Sequence, residues 1–170
     1  MQRKSNSFIL SAILALAMTL ILRWQGQSLV QTGTPTGILA LEFANTPEKL
    51  SYVLSFWNQE TVRFNIWLDF IYIPLYLWFF ISALRQACSY WKNKHMIQTG
   101  RIGIKLSFLA AILDITENIL MLQSLNGFYS HSSLQLTWAC ATIKFTIAMG
   151  VLLFVGITVV SGFIERKPNR

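Results

Sequence analysis

Charged side chains are scarce in this sequence. Asp, Glu, Lys and Arg make up 12% of 170 residues, where a soluble domain of this size carries about a quarter. Acidic residues number only seven, and there are two cysteines, two histidines and four prolines. The few histidines exclude a bis-histidine haem, which needs two imidazoles facing each other at one depth. His95 and His131 fall in separate loops on opposite sides of the apolar runs. A zinc site is excluded in the same way, because it needs His or Cys ligands close together. Cys88 and Cys140 differ too much in depth for a disulfide, whose Cα atoms must lie within about 7 Å. Both read as free thiols packed like small apolar residues.

What the chain has in abundance is long apolar runs, over residues 8–22, 66–84, 102–125 and 134–164. Crossing the hydrocarbon core takes about 20 mostly apolar residues. The expectation is an all-α transmembrane four-helix bundle, up-down-up-down, in one membrane domain. Its spans lie near 6–24, 64–85, 102–125 and 134–164, with an external helical loop over 25–63. The first run has the basic start and short apolar core of a signal peptide. However, Leu22-Arg23-Trp24 lacks the small residues of a cleavage site, so the run reads as an uncleaved span.

Orientation follows from the basic residues, which accumulate on the cytoplasmic side. With the N-terminus inside, Arg3, Lys4, Arg85, Lys92, Lys94, Arg101, Lys105, Arg166, Lys167 and Arg170 are cytoplasmic; only Arg23, Lys49 and Arg63 are external. The placement predicts both termini inside a multi-pass protein of the cell's inner membrane. It also accounts for the net charge of +7 without nucleic acid, the basic residues serving as anchors beside anionic lipid headgroups.

Two short helices are expected in the external loop. Thr34-Pro35 offers an N-cap followed by Pro at the first helical position, opening a helix that would run through Ile38 and Phe43 to Ala44. Thr46-Pro47 opens a second, with Leu50, Val53, Leu54 and Trp57 on one face. Trp24, Trp57, Trp67 and Trp138 fall near the outer interface and read as aromatic-belt residues. The inner loop 85–105 is basic with no acidic residue, and the outer loop 126–133 is short.

Four charged residues fall inside the runs: Asp69, Asp114, Glu117 and Lys144. Each is costly there, at about 2.5–3.5 kcal/mol on translocon scales. At about 1.5 Å per residue they lie roughly 9, 16, 12 and 15 Å from the outer ends of their runs. All four thus sit in the outer half of the membrane, which predicts one shared site. Asp114, Glu117 and Asn118 share one helix face at i, i+3 and i+4, a face that Ser107, Ala110, Ala111 and Ser124 extend. Asn65, Asp69, Tyr72 and Tyr76 form a stripe on the second run, and Thr137, Ala141, Lys144 and Ala148 one on the fourth. Pro74 interrupts the second run and frees the carbonyl of Phe70. Glu42 stands in an apolar stretch of the external loop, positioned to cap the pocket.

The segments 41–44 (Leu-Glu-Phe-Ala), 69–76 (Asp-Phe-Ile-Tyr-Ile-Pro-Leu-Tyr), 114–118 (Asp-Ile-Thr-Glu-Asn) and Lys144-Phe145 resemble a group of small bacterial four-span membrane proteins. The resemblance covers most of the chain from the external loop onward. It implies the four-span topology and the same charged residues, and no activity.

Function is read from the charged residues. The leading expectation is a pocket in the outer half of the bilayer that binds a lipid-like or small polar molecule, a cation or a proton. Its wall is Asp69, Asp114, Glu117, Asn118 and Lys144, with Tyr72 and Tyr76 as aromatic sides and Glu42 as a lid. The rival is an enzyme in which Asp114, Glu117 and Lys144 divide acid, base and charge-stabilising roles on a lipid or small molecule. A third possibility is a subunit whose charges meet a partner's helices. A purely structural network, with Lys144 paired to Asp114 or Asp69, stands beside all three. No metal or other cofactor is expected, since an ammonium in the pocket already neutralises one carboxylate. The named partners are membrane lipids.

Overall fold

A computed structural model describes residues 2–165 of the chain and the side chains of 6–162. Arg166, Lys167 and Arg170, counted above as cytoplasmic, lie outside the described residues, as do the side chains of Arg3 and Lys4. The described residues are all-helical, with six α-helices and no strand. They are α1 (Gln2–Gln25), α2 (Leu39–Glu42), α3 (Pro47–Leu54), α4 (Gln59–Tyr90), α5 (Lys94–Leu125) and α6 (His131–Glu165). Among the described residues three helical stretches are long and apolar enough to cross a membrane: Asn6–Leu29, Gln59–Tyr90 and His131–Gly162.

The long helices begin where side chains satisfy their first free N–H groups. Asn58 Oδ1 accepts from the Glu60 N–H at 2.8 Å to start α4, and Asn93 does the same for His95 at the start of α5. Ser130 and Ser133 cap α6 reciprocally, each hydroxyl accepting from the other's backbone N–H. These caps let the helices outrun the apolar stretches. The expected inner loop 85–105 is therefore corrected: α4 and α5 consume it, and residues 91–93 alone connect them. Pro74 lies within α4, which continues unbroken past it.

Helix α5 packs between α4 and α6, and α1 lies against α4. The interior of this layer is partly polar and its outside is apolar. On α5, Ser107, Asp114, Glu117 and Asn118 are buried while Ile112, Ile115 and Ile119 are exposed. Gly100 permits the close approach of α4 and α6 to α5, since a Cβ there would meet the Cys88 sulfur and the Phe154 ring. Cys88 and Cys140 are both free thiols.

The connection between α1 and α4 folds over one end of these helices. Its Leu29, Leu41, Leu50, Val53 and Trp57 form a core with Val62, Ile66, Met121, Leu125 and Leu134. Helix α3 starts at Thr46-Pro47 as its sequence predicts, Thr46 Oγ1 accepting from the Lys49 N–H at 3.4 Å. The other expected helix is corrected. Gln31 and Thr34 pair backbone to backbone, a turn follows through Gly37, and only Leu39–Glu42 is α-helical. Gly37 has φ +59°, a left-handed conformation that glycine takes without penalty.

Thr34 does not cap a helix. Its hydroxyl donates to the Leu29 carbonyl at 3.0 Å and accepts from Trp57 Nε1 at 3.0 Å. The expected belt role of Trp57 is corrected by the same contact: its ring is buried at 7% exposure, and its N–H also reaches the Leu29 carbonyl at 2.9 Å. A buried indole N–H requires an acceptor, and the Leu29 carbonyl and the Thr34 hydroxyl both serve it. Trp24, Trp67 and Trp138 are exposed.

Candidate functional site

Three long helices, α4, α5 and α6, converge below α2. Helix α5 presents Asp114, Glu117 and Asn118 within one turn, so a single rotation about its axis buries all three. Lys144 arrives from α6, Asp69, Tyr72 and Tyr76 from α4, and Glu42 from the last residue of α2. Lys144 Nζ lies 2.6 Å from Asp114 Oδ1, 3.0 Å from Glu117 Oε1 and 3.6 Å from Glu42 Oε2. Tyr76 donates its hydroxyl to Asp114 Oδ2 at 2.9 Å. Asn118 Nδ2 donates to Asp69 Oδ2 at 2.7 Å. Asp69 is thus the carboxyl that Lys144 does not grip.

Aromatic rings close the site. Lys144 Nζ stands 5.0 Å from the centre of the Phe145 ring, and Phe43, next to Glu42, stacks on Phe145. Tyr72 is turned partly toward α1, where Thr19 Oγ1 donates to its hydroxyl at 3.0 Å.

Two cavities meet here. An inner chamber of about 220 Å³ is lined by Glu42, Asp69, Tyr72, Tyr76, Asp114 and Lys144, with Phe80 and Phe145. An outer vestibule of about 490 Å³ lies under the connection, lined by Arg23, Gly26, Gly37, Glu42, Asp69 and Asn118 among others. Glu42 and Asp69 line both, so these two carboxyls stand between the two cavities.

Four carboxyls face one ammonium. Fully ionised, the site would carry an excess of three negative charges in a setting that water barely reaches, a state of high free energy. The arrangement therefore calls for added positive charge. Among the described residues no three Asp, Glu, His or Cys side chains are placed to hold a metal ion.

Glu42 lies in the connecting segment, outside the apolar helices. Burial pushes its carboxyl above the ordinary carboxylate range, with Lys144 opposing the shift. The folded chain accordingly binds this proton more tightly than the unfolded chain does. The stabilisation is complete below the ordinary carboxyl value and is lost as pH rises through the folded value. The thermal-unfolding midpoint is expected to fall as pH is raised across that window, and to fall less steeply in Glu42→Gln. Melts across a pH series check this, and parallel profiles for the two proteins would assign the titration elsewhere.

Seven of the eight residues singled out from the sequence line the two cavities, while Glu117 is wholly buried against Lys144 and lines neither. Several contacts that hold them there carried no sequence signal. Gln25 bonds to Asn65 beside the vestibule, and Arg63 donates to Asn126 at 3.0 Å across the ends of α4 and α5. The class defined so far is an all-helical protein with three stretches able to cross a membrane and a buried acid–lysine cluster under a folded connection. No family of known proteins, no characterised protein and no solved structure matches this chain.

Proposed function

We propose that the chain is a four-span protein of the cell's inner membrane, both termini cytoplasmic, whose charged chamber binds a small cationic or polar guest entering from the outer face. The topology rests on the asymmetry of Lys and Arg and on the apolar exposed face of α5, which suits lipid on the same terms as α1, α4 and α6. In this orientation the connection bearing α2 and α3 roofs the outer end, and the cluster lies in the outer half of the bilayer.

The observation that carries the function is the surplus of carboxyls over cations at the two cavities, where Glu42 and Asp69 line both. A network that served only to fix helix register would need one acid for one lysine. Asp69 pairs with no cation, yet it is kept between the cavities. A cavity with apolar walls and a few convergent polar groups is the usual form of a ligand site. The enzymatic alternative has less support, because Lys144 Nζ is turned onto Asp114 and Glu117 and not presented as a free amine.

Asp69→Asn tests the proposal. It keeps an acceptor for Asn118 and removes a half-buried charge that has no cationic partner. The unfolding midpoint in detergent should hold or rise. A loss worth more than about 2 kcal/mol would make Asp69 a structural group and sink the binding function.

A further inference from the structure

The outer vestibule, of about 490 Å³, holds charges of both signs. Between residues 20 and 65 the basic side chains are Arg23, Lys49 and Arg63. Lys49 donates to Asn45 and Arg63 to Asn126. Arg23 lines the vestibule, and among the described residues it makes no hydrogen bond or ion pair. The acids of the vestibule are Glu42, which faces Lys144, and Asp69, which pairs with no cation. Asp69 bonds to Asn118 through Oδ2 and keeps Oδ1 uncommitted. Asn65 and Asn118 also line the vestibule and use their amide N–H groups as donors, leaving both amide oxygens free to accept. Asn65 and Asp69 share a face of α4 at i, i+4, and Asn118 is bonded to Asp69, so the three acceptors lie together. Three acceptors suit the three N–H groups of a primary ammonium.

Helix packing sets the spacing of the opposite charges. Asn65 Nδ2 lies 3.5 Å from the Leu22 carbonyl oxygen and bonds to Gln25 Oε1, and a Cβ on Gly26 would meet it at 3.3 Å. Arg23 of α1 therefore stands at the level of Asn65. Asp69 is one turn further along α4, roughly 6 Å deeper. An α-amino acid, with one carbon between its charged groups, is shorter than that offset. Ethanolamine phosphate, with two carbons and an ester oxygen between nitrogen and phosphorus, spans it. The guanidinium fork also matches phosphate oxygens in a bidentate fashion. Arg23 is exposed and Asp69 half-buried. The ammonium thus goes where carboxyls are in surplus, and the phosphate stays where water reaches it. Leu22, Ile38, Ile66 and Met121 supply apolar wall around the linking carbons.

We infer that the vestibule recognises a phosphoethanolamine group, its ammonium on Asp69 and its phosphate on Arg23. The group is carried by an ethanolamine phospholipid as its headgroup or by the free phosphate ester. This inference rests on the proposal that the cavities bind a guest, and it names the guest's chemistry.

The test uses the purified full-length protein in detergent, titrated calorimetrically with dioctanoylphosphatidylethanolamine and dioctanoylphosphatidylcholine. The two lipids enter micelles alike, so the difference between them reads the headgroup. The ethanolamine lipid should bind about tenfold more tightly, because the choline nitrogen carries no N–H. Arg23→Gln should weaken it about tenfold, and Asp69→Asn by at least as much. Arg23 is exposed, and Asp69→Asn keeps an acceptor for Asn118, so both variants are expected to fold. Free O-phosphoethanolamine is the second probe. Comparable affinity for it assigns the soluble ester as the source, and binding of the lipid alone assigns the membrane. Equal binding of the two lipids overturns the inference, as does binding of neither ethanolamine probe. Ethanolamine is the third probe. If it binds as tightly as its phosphate ester, and Arg23→Gln changes nothing while Asp69→Asn abolishes binding, the phosphate site is overturned and the binding of a cationic guest stands. A large loss of stability in Asp69→Asn would instead sink the binding function itself.

Discussion

Lys144→Met is expected to lower the stability of the fold by about 3–5 kcal/mol, the usual consequence of leaving buried charges without their partner. It should be the most damaging single substitution in the charged cluster. Lys144 is the one cation among four carboxyls, with Asp114, Glu117 and Glu42 arranged around its Nζ. Met keeps the length and apolar stem, so the loss reports charge and not packing. The double variant Lys144→Met/Asp114→Asn discriminates further. If Lys144 and Asp114 were a self-contained pair, removing both would restore stability. Here Glu117 and Glu42 remain behind, so the double variant should stay well below wild type. Thermal melts of the two variants in detergent decide it. Full recovery in the double would reduce the cluster to a structural pair, and the binding function would fall with it.

Trp57→Ala should destabilise by a comparable amount, about 3–5 kcal/mol, through lost burial and the cavity left behind. The ring packs in the same core as Leu29, Leu41 and Leu50, and its N–H ties the Leu29 carbonyl to Thr34. An interfacial belt tryptophan would tolerate the change at far smaller cost. Trp57→Phe retains most of the volume and loses the two hydrogen bonds, and should cost about 1 kcal/mol. The consequence extends to the cluster, because this core anchors the connection that carries Glu42 over the chamber. In Trp57→Ala, the pH dependence assigned to Glu42 should weaken along with the stability. If both tryptophan variants melt like wild type, the connection is not the anchored roof described here.

The features legible in the sequence are those governed by local periodicity. The apolar runs mark the long helices, though not their ends, because polar capping residues such as Asn58 and Asn93 carry α4 and α5 beyond the apolar stretches. Asp114, Glu117 and Asn118 could be placed on one face because 3.6 residues per turn fixes their relative direction. Thr46-Pro47 could be read as a helix start because a cap acts within one turn. The gathering of Asp69, Asp114, Glu117 and Lys144 was foreseeable from depth alone, since rise per residue sets position along a helix axis.

Position along the axis leaves two quantities open: how each helix is rotated, and where an irregular segment comes to rest. Rotation and side-chain reach decided that Lys144 grips Asp114 and Glu117 while Asp69 turns to Asn118. Thr34-Pro35 and Thr46-Pro47 look alike as sequence, yet only the second caps a helix, while the first turns its hydroxyl to the Leu29 carbonyl and the Trp57 N–H of the folded connection. Glu42 reaches Lys144 only because the core under α2 and α3 presses the connection onto the ends of α4, α5 and α6. The sequence alone therefore determined where the long helices run and at what height along them their charges lie, since both depend on spacing along one chain. Only the tertiary structure decided which carboxyls meet the lysine and which stand between the two cavities, since both depend on distances between segments that no local pattern encodes.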